Sequence, residues 1–346
     1  MRKKVALILA LAMVMLALAA CGGGGDPTPE PSDEGTPTGE SAIRTGLAVI
    51  TSIAKSADAS EEEEGLAQVD STVVAVVVDE AGKILKCSID SAQTKINFTK
   101  EGKITTPLDT VFVAKQELGA DYGMAKASSI GKEWNEQATA LSNYVIGKTV
   151  EEVKNIAVDE GKPTDEDLSS SVTISIPGYI NAIEKAVANA KELGASADDK
   201  LGLGVVTTIA KSKDAGEEDG VAQAYTYYTA TTFDENGVIT SSIIDASQVN
   251  VHFTAEGKIS ADLNGNYPTK NELGDAYGMR GNSGIGKEWN EQANAFAEYI
   301  VGKTVDEVKG IAVEEGVPTE EDLQSSVTIH VNDFMTIIDK ASKMAK

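Results

Sequence analysis

"GKTVEEVKNIAVDEGKPTDEDLSSSVTI" occupies residues 147–174, and "GKTVDEVKGIAVEEGVPTEEDLQSSVTI" follows at 302–329. The offset of 155 residues also relates "IGKEWNEQA" at 130–138 to the same string at 285–293. Earlier in the chain, "GLAVITSIAKS" at 46–56 answers "GLGVVTTIAKS" at 202–212 with an offset of 156. One extra acidic residue in the loop "SEEEEG", against "GEEDG", accounts for the change. Units this long exceed a solenoid repeat and are large enough to be domains. The chain therefore reads as two tandem copies, 45–191 and 201–346, joined by a linker at 192–200.

Within the first copy, "STVVAVVVDEAGKILKCSIDSAQTKINFTKEGKI" alternates β-branched runs with the turn sequences "DEAGK" and "KEGK". This predicts an antiparallel meander, which the second copy repeats with "DENG" and "AEGK" at its turns. The period then lengthens. Trp134, Ala138, Leu141 and Val145 share one helical stripe, as do Trp289, Ala293, Phe296 and Ile300. Gly147 can end the first of these helices. Thr149 with Glu152, and Thr304 with Glu307, have the spacing of capping boxes for a short following helix. Ile180, Ile183 and Val187 form the stripe of a last helix. The expected class is α+β, an antiparallel sheet with helices packed on one face in each copy.

The composition is that of a globular chain, 41% hydrophobic and 24% charged, with a formal charge of −24. A field of that sign repels phosphodiesters, so nucleic acid is not an expected partner. At the N-terminus, "MRKK" precedes an apolar run of 16 residues, "VALILALAMVMLALAA", which ends at Cys21. The flanks and length are those of a signal peptide over 1–20. Residues 21–44 are rich in Gly, Pro, Ser, Thr and acids and read as a flexible linker, about 25 Å in root-mean-square span. Apart from Cys21, Cys87 is the one cysteine, and with only His252 and His330 present a zinc or haem enzyme is not expected.

Several strings look like motifs and are not. "GKT" lacks the earlier glycine of a phosphate loop, because Ser142 and Ala297 stand where it belongs. "GLG" at 202–204 lacks the rest of a dinucleotide fingerprint. The acidic loops at 61–64 and 217–219 lack alternating calcium ligands and read as solvated charge. Trp134, Trp289 and Cys87 read as core residues. No nucleophile and base set recurs across the copies, so no catalytic residues and no metal ligands are assigned.

Two resemblances add to this. "LAAC" at 18–21 resembles the lipobox of bacterial lipoproteins, which implies cleavage before Cys21, acylation of its sulfur and a lipid anchor. The segment Asp167-x-x-Ser170-Ser171-Val172-Thr173 with the helix behind it is similar to the D-x-x-S-G-A-T segment of FMN-binding domains. That family includes a subunit of sodium-pumping quinone reductases and Gram-positive surface lipoproteins of extracellular electron transfer. The resemblance implies FMN, linked by a dedicated transferase through its phosphate to Thr173 and, in the second copy, Thr328. Asp167 and Asp322 match the motif's acid, and Ser170 and Ser325 match its serine. Ser171-Val172 and Ser326-Val327 stand where the family has Gly-Ala. The expectation is a carrier without substrate turnover, anchored to the outer face of the cytoplasmic membrane of a Gram-positive cell and meeting redox partners there. The alternative is a non-redox surface module of the same fold that binds a small ligand or an envelope component without flavin. On either reading the octapeptide "DLSSSVTI" leads from a strand edge into the last helix, its hydroxyls beside the first helical amides.

Overall fold

"VVAVVV" at 73–78 shows none of the alternation of a half-exposed strand, and in the folded chain all six side chains are fully buried. A strand of this kind must be covered on both faces. A computed structural model describes residues 42–346 and shows what covers them. The signal peptide, the lipidation site Cys21 and the linker up to Ser41 lie outside the described residues.

In the first copy, β1 (Arg44–Ser52), β2 (Gly65–Val78) and β3 (Ile84–Phe98) form the expected antiparallel meander, with β2 central. Gly82 and Gly102 take left-handed φ of +78° and +67° in the two turns read as "DEAGK" and "KEGK". There follow α1 (Lys115–Leu118), α2 (Trp134–Val145), α3 (Val150–Lys154), a two-residue hairpin β4–β5 (Val158–Asp159, Lys162–Pro163), α4 (Glu166–Ser169) and α5 (Pro177–Ala188). The second copy repeats the order with β6 (Lys200–Thr208), β7 (Gly220–Phe233), β8 (Ile239–Phe253), α6 (Lys270–Leu273), α7 (Trp289–Tyr299), α8 (Val305–Lys309), β9–β10 (Val313–Glu314, Val317–Pro318), α9 (Glu321–Gln324) and α10 (Asn332–Met344). The class is α+β, and no described helix is long and apolar enough to cross a membrane.

One face of each sheet carries its own helices. Val74, Val76 and Val78 of β2 pack with Trp134, Ala138, Leu141 and Val145 of α2 and with Ile180 and Ile183 of α5. The capping boxes form as read: Thr149 and Thr304 accept the amides of Glu152 and Glu307, whose carboxylates accept the threonine amides. Glu133 and Glu288 make further boxes with Glu136 and Glu291 at the starts of α2 and α7. "GLG" is explained by packing: a Cβ on Gly202 or Gly204 would lie 2.1 Å from the Ala341 carbonyl oxygen or 1.9 Å from that of Ile337. Glycine lets α10 approach the backbone of β6 that closely.

The other face of each sheet is covered by the other copy. Val73, Ala75 and Val77 of β2 join Leu47 and Val49 of β1 against Leu201, Leu203, Val205, Tyr228 and Ala230. Beside this cluster a second shared one sets Ile96 and Phe98 against Val251 and Phe253. The two copies thus belong to one compact unit, Ser41–Lys346. Reciprocal bonds mark an approximate twofold relation. Ala59 donates its amide to Gly257 O and Ala215 donates to Gly102 O, each at 2.8 Å. Ile104 N donates to Asp214 Oδ1 at 2.9 Å, and Ile259 N to Asp58 Oδ1 at 2.8 Å. The buried β7 threonines Thr229, Thr231 and Thr232 bond through their hydroxyls to Ser241, Ser242 and one another. Thr45 of the first copy extends this network across the join to Ser241 at 2.7 Å.

Candidate functional site

No strand leads from "DLSSSVTI" into the helix. Its start belongs to α4 and the turn after it, and the chain then runs irregularly to α5. The α5 N-cap is Ile176, without a side-chain cap, and Pro177 opens the helix. The expected strand edge and the hydroxyl cap on the helical amides are therefore both absent here. Proline at the first helical position needs no amide partner and replaces the cap.

The threonines are held elsewhere. Gln137, fully buried on α2, accepts through Oε1 the Thr173 amide at 2.8 Å, the Thr173 hydroxyl at 3.2 Å and the Ile174 amide at 3.2 Å. Its Nε2 donates to Ser128 Oγ and Lys132 O, both at 3.1 Å. Gln292 repeats the arrangement, accepting Thr328 N at 2.8 Å and Thr328 Oγ1 at 3.3 Å and donating to Ser283 Oγ and Lys287 O. A buried amide with both ends satisfied fixes these segments rigidly. Thr173 is half-buried and Thr328 exposed.

Asp167, Asp322, Ser170 and Ser325 do not converge on the threonine hydroxyls through any hydrogen bond. All four are exposed, and each serine hydroxyl donates to the backbone carbonyl of its aspartate, at 3.3 and 3.2 Å. In each copy the pair that stands in place of Gly-Ala is a half-buried serine followed by a valine. Val172 and Val327 are fully buried in the cores of their copies. Ser171 and Ser326 are not left-handed, since Glu160 and Glu315 are the only described non-glycine residues at positive φ. Lys132 Nζ donates to Ser171 Oγ at 3.1 Å, which brings a cation to the first segment.

The same stretch of α2 builds a second cluster. Glu133 accepts the amides of Met124 and Ala125 at 2.7 and 3.0 Å, and Glu288 accepts those of Met279 and Arg280. This clasps the "YGM" turn to the helix start. Beneath the turn lies a buried lysine. Lys115 Nζ stands 4.5 Å from the Tyr122 ring centroid and 5.4 Å from that of Trp134. Lys270 lies 4.2 Å from the Tyr277 ring, 4.4 Å from Tyr225 and 5.0 Å from Trp289. It donates hydrogen bonds to the hydroxyls of Tyr225 and, at 2.7 Å, Tyr277. Burial lowers the Lys270 pKa to about 7, against the opposing pull of Asp245. Burial pushes Asp90 and Asp245 up to about 7, although each accepts backbone amides.

The copies differ where Tyr225 stands, because the equivalent residue is Asp70. Burial raises the Asp70 pKa, but bonds from Lys55, Gln93 and Gln68 outweigh it and hold the carboxyl below its ordinary value. Lys55 pairs with it at 2.9 Å. Sequence reading missed Gln137, Gln292, Lys115, Lys270 and the Tyr225/Asp70 exchange. The signal available was recurrence, since "KQELG" and "KNELG" and both "YGM" strings keep the same offset. Among the described residues no group of acids, histidines and cysteines is placed to hold a metal.

No family model and no solved structure matches the chain. A curated protein from Desulfitobacterium hafniense, named chlorophenol reductase, is 56% identical over 50 residues. That stretch is 14% of this chain and 15% of the relative, so the likeness is local.

Proposed function

We propose that the protein is a lipid-anchored surface electron carrier whose two copies hold FMN at Thr173 and Thr328. The observation that supports this reading most is the presentation of those threonines. In both copies a buried glutamine fixes the segment, the hydroxyl lies at or near the surface, and the replacing valine is turned into the core. Esterifying Thr173 removes one donor from Gln137 but leaves the two amide bonds. The loss is about 1 kcal/mol, the worth of one neutral hydrogen bond. Lys132 would stand near the phosphate in the first copy. FMN, when bound, supplies the redox chemistry, and the protein holds it and sets its surroundings. Cys21, acylated after cleavage of the leader, would tether the carrier to the outer membrane face, and the acidic surface suits water rather than anionic lipid.

The test is production of the chain with and without a co-expressed flavin transferase, read by intact mass and visible flavin absorbance. One or two FMN-phosphoryl increments, lost in Thr173→Ala and Thr328→Ala, are expected. Unmodified mass rules out the covalent form, and failure to bind added FMN rules out the non-covalent one. That pair of results would leave the non-redox binding module. Cys21→Ser should release the protein from membranes, and retention would overturn the anchor.

A further inference from the structure

The Lys270 cluster opens onto a cleft of about 450 Å³ in the second copy, lined by Gln248, Asn250, Pro268, Leu273, Tyr277 and Met279. We propose that this cleft binds a small planar organic monoanion, an aromatic carboxylate, through the Tyr277 hydroxyl polarised by Lys270. The proposal requires no flavin and stands apart from the carrier reading.

Three features carry it. A buried cation is normally paired with an acid, yet Lys270, only 2% exposed, donates to two neutral hydroxyls. None of the ion pairs among the described residues includes it. The Tyr277 hydroxyl in turn donates outward to Gln248 Oε1 at 3.3 Å, a long bond that a better acceptor can replace. Tyr277, Pro268, Leu273 and Met279 line the cleft together with the amides of Gln248, Asn250 and Asn282, a mixture of apolar and hydrogen-bonding groups that suits a small ring bearing an anionic group. The first copy supplies the contrast, since the carboxylate of Asp70, paired with Lys55, stands there in place of the Tyr225 hydroxyl.

The charge state agrees. Burial holds the proton on Asp245 up to about 7; it also lowers Lys270 to about 7, yet in mild acid the lysine still keeps its proton, so these two groups together are positive there, with Glu288 at the start of α7 the acid that bears on Tyr277.

The test uses flavin-free full chain carrying Trp134→Phe, which leaves Trp289 as the one tryptophan. Benzoate is titrated at about pH 6, below the values to which burial brings Asp245 and Lys270 and above the ordinary carboxylate range, and Trp289 fluorescence is recorded. A saturable change is expected, absent with the neutral isostere benzamide. Tyr277→Phe and Lys270→Met should each weaken binding by about tenfold or more, the worth of a charge-assisted hydrogen bond. Lys115→Met should leave it unchanged. Tyr277→Phe keeps the ring, so it decides the matter even if Lys270→Met disturbs the fold. No saturable change, equal response to benzamide, or undiminished binding in Tyr277→Phe would overturn the proposal.

Discussion

The phenyl rings of Phe98 and Phe253 stack with centroids 4.3 Å apart and planes inclined by 14°. The two residues are each other's equivalents, so a side chain packs on its own counterpart across the join. Such self-complementary contact is the geometry of a twofold homodimer interface. Here a single chain supplies both halves.

That contact, within a core shared by both copies, predicts that they unfold as one cooperative unit. Denaturant unfolding followed by tryptophan fluorescence and by circular dichroism should give coincident single transitions. Phe98→Ala should destabilise the whole by about 3–5 kcal/mol, the usual loss for a buried phenylalanine. Phe253→Ala should cost a similar amount, and the double variant less than the sum because the rings touch. Two resolved transitions would show that the copies fold independently.

Gln137 is expected to protect the amides of Thr173 and Ile174 from hydrogen exchange. Gln137→Leu leaves both donors without their acceptor and should cost about 1–3 kcal/mol per buried group left unpaired. Exchange at those two amides should rise more than at the core of β2. Unchanged protection would remove the glutamine from its assigned role.

Gly204→Ala tests the close approach of α10. A methyl group there meets the Ile337 carbonyl at 1.9 Å, so the helix must move. A loss of about 1–3 kcal/mol is expected, the usual cost of overpacking a core. Gly237→Ala, in an open turn with φ of +80°, should cost about 1 kcal/mol through backbone strain alone.

Cys87 is 4% exposed, and burial pushes its thiol up to about 12. It should not react with a disulfide reagent in the native protein and should react once on unfolding. Fast native labelling would contradict its place in the core.

The pH dependence has opposite signs on the two sides of neutrality. Asp90 and Asp245 have folded pKa values raised to about 7, so the folded state holds more protons in the acid range. Their contribution to stability is lost as pH rises from the ordinary carboxylate range to about 7. Lys270, lowered to about 7, binds its proton less tightly when folded, so its contribution grows as pH rises from there toward the ordinary lysine value. Asp90→Asn should flatten the acid limb, and Lys270→Met the alkaline one, in melting temperatures measured across pH. Unchanged limbs would refute the assignment.

The meander, the helix stripes and the capping boxes were legible because each depends on residues close in sequence. Trp134, Ala138, Leu141 and Val145 are all buried as their spacing implies. What escaped was long-range. The joining of the copies was encoded in "VVAVVV", where alternation fails because two different partners cover the two faces. The local pattern of the motif region predicts a strand edge with a hydroxyl cap. Pro177 removes the need for that cap, and Gln137, 36 residues earlier, supplies the threonine's partner. No local rule reports a glutamine that distant.

A twofold assembly of separate chains must carry the same residue at both equivalent sites. Fusion of the two halves into one polypeptide removes that constraint. Asp70 and Tyr225 occupy equivalent strand positions, opposite Gln93 and Gln248, yet one is an anion and the other a phenol. The shared core preserves the pairing while each site is free to acquire a separate chemistry. A single chain thereby combines a homodimer's interface with a heterodimer's asymmetry.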